Sequence, residues 1–391
     1  MSFMSKMDLP FSNQSSAKNF RTGQQRSSPF EKGGPREICS PADFKSPQSP
    51  LCQRGVSERN AGKYSATFRN TTLFTLLFWS VIVYGAESQL PLFRLGYSGA
   101  GIAQNLTYVI DKSGLWSKHG IDVRSIYFNS GSIMAQALVG GDIDVTDSNI
   151  PTMLNLKASG VLDVKMVAVW MNKILLSFIA RSPIKSPAEL KGKKIGISRF
   201  GSSSDFITRL LMRYWKLDPE KDVTIIQSGG NDSVRMAALI GGHLDGALIG
   251  SHDVPKLLES NCCNNLANLE ELPIDYSRFG IAIPAAVIKS RRDHVRRYLQ
   301  ALIEGIYVYK TRPELPIALL KREGVKDADL GYQKIIKALI EYPVPEEKSI
   351  QVALDSIGTP KAKQAQAKDY IDTTILEEIK KSGFVDRLYG R

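Results

Sequence analysis

Between Leu92 and Ile249 the chain alternates two kinds of run. Short apolar or β-branched stretches bounded by Gly, Ser and Asn read as buried strands, and apolar residues at three- and four-residue spacing read as one-sided helices. Leu92–Tyr97 predicts a strand. Residues 101–118 predict a helix with Leu106, Ile110 and Leu115 on one face. Asp122–Phe128 predicts a strand, Ser132–Val139 a helix stopped by Gly140-Gly141, and Ile143–Val145 the start of a third strand. The order then returns: strand Lys194–Ser198, helix Ser203–Trp215, strand Asp222–Gln227, helix Ser233–Ile240 with Gly241-Gly242, and strand Leu244–Ile249. Val164–Trp170 and Ile174–Ala180 are strand-like runs between the two units, and Ile281–Ile288 predicts a strand after them. From Arg291 onward the spacing is helical, over 291–310, 314–323, 327–342, 347–357 and 367–382.

The two units are also related in letters, at an offset of about 100 residues. Ala137-Leu-Val-Gly-Gly-Asp-Ile-Asp144 returns as Ala238-Leu-Ile-Gly-Gly-His-Leu-Asp245, and Gly96-Tyr97-Ser98 returns as Gly196-Ile197-Ser198. Asp122-Val123 and Asp222-Val223 open corresponding runs. Strand–helix alternation of this kind builds parallel sheets covered by helices, so the repeat predicts two similar α/β lobes. A cleft between such lobes is a place for a small molecule.

The amino-terminal part has another pattern. Residues 71–86 form one uncharged, largely apolar run preceded by Lys63 and Arg69 and ending in small residues, the layout of a secretory signal. The run is shorter than the roughly 20 residues a spanning helix needs. Residues 1–70, rich in Ser, Gln, Pro, Gly and charge, are expected to be a disordered extension or a stretch ahead of the true start. They hold half of the net charge of +12, so the remainder is only mildly basic, and its cations stand beside acids along helices. No nucleic-acid partner is expected. The exported part holds two adjacent cysteines, Cys262 and Cys263, expected as loop or partly buried thiols. The four histidines (His119, His243, His252, His294) have no metal-ligand spacing, and no cofactor, metal or catalytic residue is expected.

Five segments in register resemble one family. They are Leu95-Gly96-Tyr97, Gly114-Leu-Trp-Ser-Lys-His-Gly-Ile-Asp-Val123, Gln136-Ala-Leu-Val-Gly-Gly-Asp-Ile-Asp-Val145, Ile184-Lys-Ser-Pro-Ala-Glu-Leu-Lys-Gly-Lys-Lys-Ile-Gly-Ile197 and Ala238-Leu-Ile-Gly-Gly-His-Leu-Asp-Gly-Ala247. With them, residues 92 to 320 resemble the extracytoplasmic solute-binding proteins of nitrate, sulfonate and taurine ABC importers, a group that includes thiamine-pyrimidine binding proteins. The resemblance implies a type II periplasmic-binding-protein-like α/β fold. Each of two lobes is a mainly parallel sheet flanked by helices, with the C-terminal helices packed on lobe one. Lobe one is expected at 90–182 plus 281–391 and lobe two at 183–280, with crossings near Ala180–Ser182 and Phe279–Ile281. The implied function is capture of a small anionic or polar organic solute by a monomer and its delivery to an ABC permease. The alternatives are an enzyme like those that make the thiamine pyrimidine, or a periplasmic sensor without transport.

Ligands of open α/β sheets sit beyond the carboxyl ends of the strands. The leading candidate is therefore Gly201, Ser202, Ser203 and Ser204, where hydroxyls and N–H groups at a helix start suit an anion. Its lobe-one counterpart holds Ser98, Gly99 and Ala100. Ser130 and Gly131, Gly230 and Asn231, Ser148 and Asn149, and Gly250 and Ser251 end the other strands. All of these residue types also serve as ordinary turns and caps. Trp170 is a candidate stacking residue or a core residue. Asp144 and Asp245 are read as structural, accepting backbone N–H groups. With no arginine in these loops, an arginine clamp is not expected.

Overall fold

Lobe one begins with β1 (Leu92–Ser98), followed by α1 (Asn105–Lys112), α2 (Leu115–Lys118), β2 (Asp122–Phe128), α3 (Gly131–Gly140), β3 (Val145–Asp147), α4 (Ile150–Ala158) and β4 (Val164–Met171). Lobe two follows as β5 (Leu176–Arg181), β6 (Lys194–Ile197), α5 (Ser203–Tyr214), β7 (Thr224–Gln227), α6 (Asp232–Ile240), β8 (Gly246–Gly250), α7 (Val254–Glu259) and β9 (Cys263–Asn268). The chain returns through β10 (Phe279–Pro284) to α8 (Ala285–Ser290), α9 (Arg292–Thr311), α10 (Glu314–Arg322), α11 (Ala328–Ala338), α12 (Glu347–Ile357), α13 (Pro360–Gln364), α14 (Thr374–Lys381) and α15 (Phe384–Tyr389). This is a computed structural model describing residues 90–99, 104–147 and 150–391, all in one compact unit. The extension 1–70 and the signal-like run 71–86 lie outside the described residues.

Each lobe has a five-stranded sheet, in the orders β2-β1-β3-β10-β4 and β7-β6-β8-β5-β9. The three strands of each repeat are parallel, as alternation with helices requires. The remaining two strands of each sheet join antiparallel. β5 pairs with β8 and β9, so the first change of sheet falls between Met171 and Leu176, ahead of the expected Ala180–Ser182. The second falls between Asn268 and Phe279. Both β4 and β5 are largely apolar runs, and composition alone does not say which sheet such a strand joins.

The repeat is structural as well as textual. A Cβ on Gly96 would lie 2.4 Å from Ile143 Cδ1, and one on Gly196 would lie 2.2 Å from Leu244 Cδ1. In both lobes glycine therefore lets the side chain before the third strand fold over the first. Asp144 and Asp245 are equally matched. Each accepts a backbone N–H from the start of the first strand, Arg94 at 2.8 Å and Lys194 at 2.9 Å. Burial works against the Asp144 carboxylate, but Arg94 and Arg291 hold its pKa below the usual range.

Four local expectations change. The predicted helix 101–118 breaks at Gly114, whose φ of 65° is the left-handed region glycine enters freely. The strand expected to reach Ile288 ends at Pro284, which has no N–H to extend the ladder, and α8 starts directly behind it. The polar run Cys263–Asn268 is an edge strand held by backbone pairing to β5, which side-chain alternation does not signal. Cys262 and Cys263, expected as thiols, are joined to each other in a disulfide.

The C-terminal helices close lobe one. α9 buries Val295, Tyr298, Leu299, Leu302, Ile303 and Ile306, with Tyr298 stacked on Trp116 at 5.0 Å. Each such side chain contributes about 1.5–3 kcal/mol of burial. α12 lies at the seam instead. Its Ile350, Ala353 and Leu354 share a core with Met153 and Leu154 of α4 and with Phe206 and Leu211 of α5, and Arg213 donates to the Ser356 carbonyl at 3.3 Å.

Candidate functional site

The strand ends of both sheets converge on one cavity of about 170 Å³. Lobe one supplies Ser98 and Gly99 after β1, Tyr127, and Asn129, Ser130 and Gly131 leading into α3. Lobe two supplies Ser198, Ser202, Ser203 and Ser204 between β6 and α5, Gly230 to Ser233 at the start of α6, and Gly250, His252 and Asp253 after β8. The crossings supply Met171, Leu175, Leu176, Arg278 and Phe279.

Of the residues singled out from sequence, Ser98, Gly99, Ser130, Gly131, Ser202, Ser203, Ser204, Gly230, Asn231 and Gly250 line this cavity. Ala100, Ser148 and Asn149 lie outside the described residues. Gly201, Ser251 and Trp170 do not line it. The Gly201 N–H is taken by the Asp205 carboxylate at 2.9 Å, and that carboxylate is held by Arg209 at 2.6 Å. Ser251 is buried.

The serine loop of lobe two satisfies itself. Ser198, Ser202 and Ser204 form a triangle of hydroxyls with edges of 2.9, 3.0 and 2.9 Å, and Ser204 also accepts the Ser198 N–H. The Phe200 N–H goes to Gln227 at 2.8 Å and the Ser202 N–H to the Arg199 carbonyl at 3.2 Å. Much of the backbone expected to cradle an anion is therefore spoken for. Ser202 makes no side-chain cap to its helix, whereas Ser130 in lobe one does, accepting the Ser132 N–H at 3.3 Å.

What the loop leaves over is Ser203, and its partner is an arginine missed in the sequence. Arg278 donates from Nη1 to the Ser203 hydroxyl at 3.0 Å, joining the crossing to lobe two. Its backbone N–H goes to the Met171 carbonyl at 3.0 Å, so it sits where the two crossings run side by side. The guanidinium lies over the Phe279 ring, 4.8 Å from the centroid. That ring also stacks on Trp170, at 5.3 Å and 16°. Trp170 Nε1 donates to Asp147 at 2.7 Å, and Thr107 donates to the same carboxylate at 2.8 Å. Trp170 is thus a core residue behind the site, packed on the same Phe279 ring that Arg278 lies over. Arg278 Nε has no partner. Burial pulls the Arg278 pKa down to about 10, still far enough up to keep it charged at neutral pH.

A second arginine, Arg235 of α6, reaches the cavity almost wholly buried. It is tied to the Leu248 carbonyl at 3.1 Å and to Asp232, whose other oxygen accepts the Gly250 N–H at 2.6 Å. Its Nη1 has no partner. In sequence Asp232 and Arg235 look like a solvated helix pair, and only the packing of α6 on β8 turns them inward. His252 and Asp253 stand 3.3 Å apart on the same wall. Cys262 and Cys263 are not among the lining residues. Among the described residues no cluster of His, Cys, Asp or Glu has the makings of a metal site, and no helix is long and apolar enough to cross a membrane.

Two helix-flanked sheets with a cavity between their strand ends and a pair of adjacent crossings define a two-lobed binding protein of the periplasmic-binding-protein fold. The chain belongs to the NMT1/THI5-like family, whose model matches residues 105–315. A candidate binding protein of Brucella abortus (strain 2308) is 29% identical over 268 residues, covering 66% of this chain and 76% of the relative. Two solved structures share the fold at low identity. The periplasmic nitrate-binding protein of Synechocystis PCC 6803 has a TM-score of 0.63 at 13% identity, over 75% of this chain and 89% of its own. The periplasmic aliphatic sulphonate-binding protein of Escherichia coli has a TM-score of 0.57 at 19% identity, over 73% and 99%.

Proposed function

We propose that this protein is an exported solute-binding protein that captures a small organic anion between its lobes and hands it to an ABC import permease. The observation that carries this reading is Arg278. It is a guanidinium on the crossing that lines the cavity, bonded to the Ser203 hydroxyl of lobe two and still charged at neutral pH. An unmatched cation in a partly dehydrated cleft is costly alone and favourable once an anion joins it. A solute that touches lining groups of both lobes at once would favour the closed arrangement.

Binding rather than catalysis is supported by the description of the Brucella relative as a candidate binding protein and by the titles of the two fold neighbours. Export is supported by the signal-like run at 71–86 and by the periplasmic placement in those titles. Thermal unfolding of the purified protein against alkanesulfonates, taurine, nitrate, bicarbonate, aromatic carboxylates and thiamine pyrimidines tests the reading. A ligand at 100 times its Kd adds about 2.7 kcal/mol. An anion is expected to raise the Tm of the wild type and not of Arg278→Met. Stabilisation by a neutral pyrimidine alone, undiminished in Arg278→Met, would contradict it.

A further inference from the structure

We infer that α12 is a brace behind the crossings whose grip on lobe two sets how readily the cleft closes, with Leu354 and Arg213 as positioning residues remote from the cavity. α12 meets the return crossing on the side away from the solute. The Ser277 and Ser349 hydroxyls are 2.5 Å apart, while the next residue, Arg278, lines the cavity. The crossing therefore runs between the cavity in front and α12 behind.

α12 grips both lobes. It belongs to the returning chain of lobe one, and its fully buried Ile350, Ala353 and Leu354 share one core with Met153 and Leu154 of α4 and with Phe206 and Leu211 of α5. Its Ser356 carbonyl accepts Arg213 from the last turn of α5 at 3.3 Å. α5 is thus held at both ends. Ser203 at its start bonds to Arg278 at the cavity, and Arg213, about 15 Å further along the helix axis, reaches α12. A helix held in this way carries a movement from one side of the crossings to the other.

The mouth is unclosed while the back is packed. Tyr127 lines the cavity from lobe one and is still 44% exposed. Two bodies turning about a hinge approach on one side of it only by parting on the other. Closing the mouth therefore draws α5 away from α12 and loosens the apolar contacts and the Arg213 bond. The brace holds the open arrangement, and the apparent Kd of a solute that needs the closed one rises as the closed fraction falls. Neither Leu354 nor Arg213 lines the cavity, so this holds whatever the charge of the solute.

Pulsed electron–electron resonance on the ligand-free full-length chain tests the brace. Spin labels go on Gln136→Cys of α3 and Ala237→Cys of α6, exposed and matching positions of the two repeats, in a background of Cys39→Ser and Cys52→Ser. Leu354→Ala and Arg213→Met are each expected to raise the population at the shorter lobe-to-lobe distance at least threefold while lowering the Tm of the free protein. A lowered Tm with the wild-type distance distribution would make these contacts merely structural and overturn the inference. A shift to longer distances would overturn it too, by making α12 a wedge that keeps the mouth from opening. Should Leu354→Ala fail to fold, Arg213→Met, whose side chain reaches solvent, decides alone.

Discussion

The two lobes are built alike and furnished differently. In both, a glycine in the first strand lies under an aliphatic side chain, and an aspartate ahead of the third strand ties it to the first. At the strand ends the likeness stops. Lobe one offers Ser98-Gly99 and a capped helix at Ser130, whereas lobe two offers a closed triangle of serines with Ser203 turned to the crossing. The group that joins them belongs to neither repeat. Arg278 comes from the return crossing, propped from lobe one by Phe279, Trp170 and Asp147. Duplication supplied a scaffold, and the recognition chemistry lies where the copies differ and where the chain passes between them.

The sharpest way to break this comparison is to remove the unduplicated group. Arg278→Met is expected to cost about 2–5 kcal/mol of anion affinity by calorimetry, the range for truncating one partner of a buried charge pair. Its Tm without ligand should be no lower than wild type. The Arg278 pKa is depressed to about 10, so its charge opposes folding at neutral pH and that opposition eases only as pH rises above about 10. A variant that unfolds early and still binds would reverse the assignment.

Asp147 tests the prop. Burial raises its pKa to about 6 against hydrogen bonds from Trp170 and Thr107. The folded state therefore takes up a proton before the unfolded one, and this group adds stability as pH falls from about 6 toward 4. Asp147→Asn should lose that pH dependence in thermal melts and gain on the order of 1–3 kcal/mol at pH 7. A melt that keeps the wild-type pH profile would place the titration elsewhere.

The scaffold pair sharpens the comparison from the other side. Gly96→Ala and Gly196→Ala should both destabilise, by about 1–3 kcal/mol, without selectively changing ligand preference. Gly96→Ala should cost more, because its Cβ would also meet Met134 and Phe128 within 3.3 Å, whereas the Gly196 neighbour is a single leucine able to give way. Smallest is the serine triangle. Ser202→Ala removes two hydroxyl contacts and should cost about 1 kcal/mol of stability in denaturant unfolding.

What could be read in the sequence divides along the same line. Apolar periodicity and the repeated Gly-Gly-x-x-Asp segments give the strands, the helices and the two lobes, because burial imposes those patterns locally. The strand-end rule reaches Ser98, Ser130, Ser203 and Asn231 for the same reason. Arg278 carries no local signal. It sits in an irregular stretch 75 residues from Ser203, and only the side-by-side crossings bring the two together. Arg235 is hidden differently, as half of an i, i+3 pair that reads as solvent-facing. Trp170 is legible as apolar, but its role as a prop depends on Phe279, over a hundred residues away.

The most direct test of the account is a crystal structure of the protein with its solute bound. The account expects the anionic group within hydrogen-bonding distance of the Arg278 guanidinium, with the solute touching both lobes. A solute seated in the cleft with a neutral group, or nothing, facing Arg278 would contradict it.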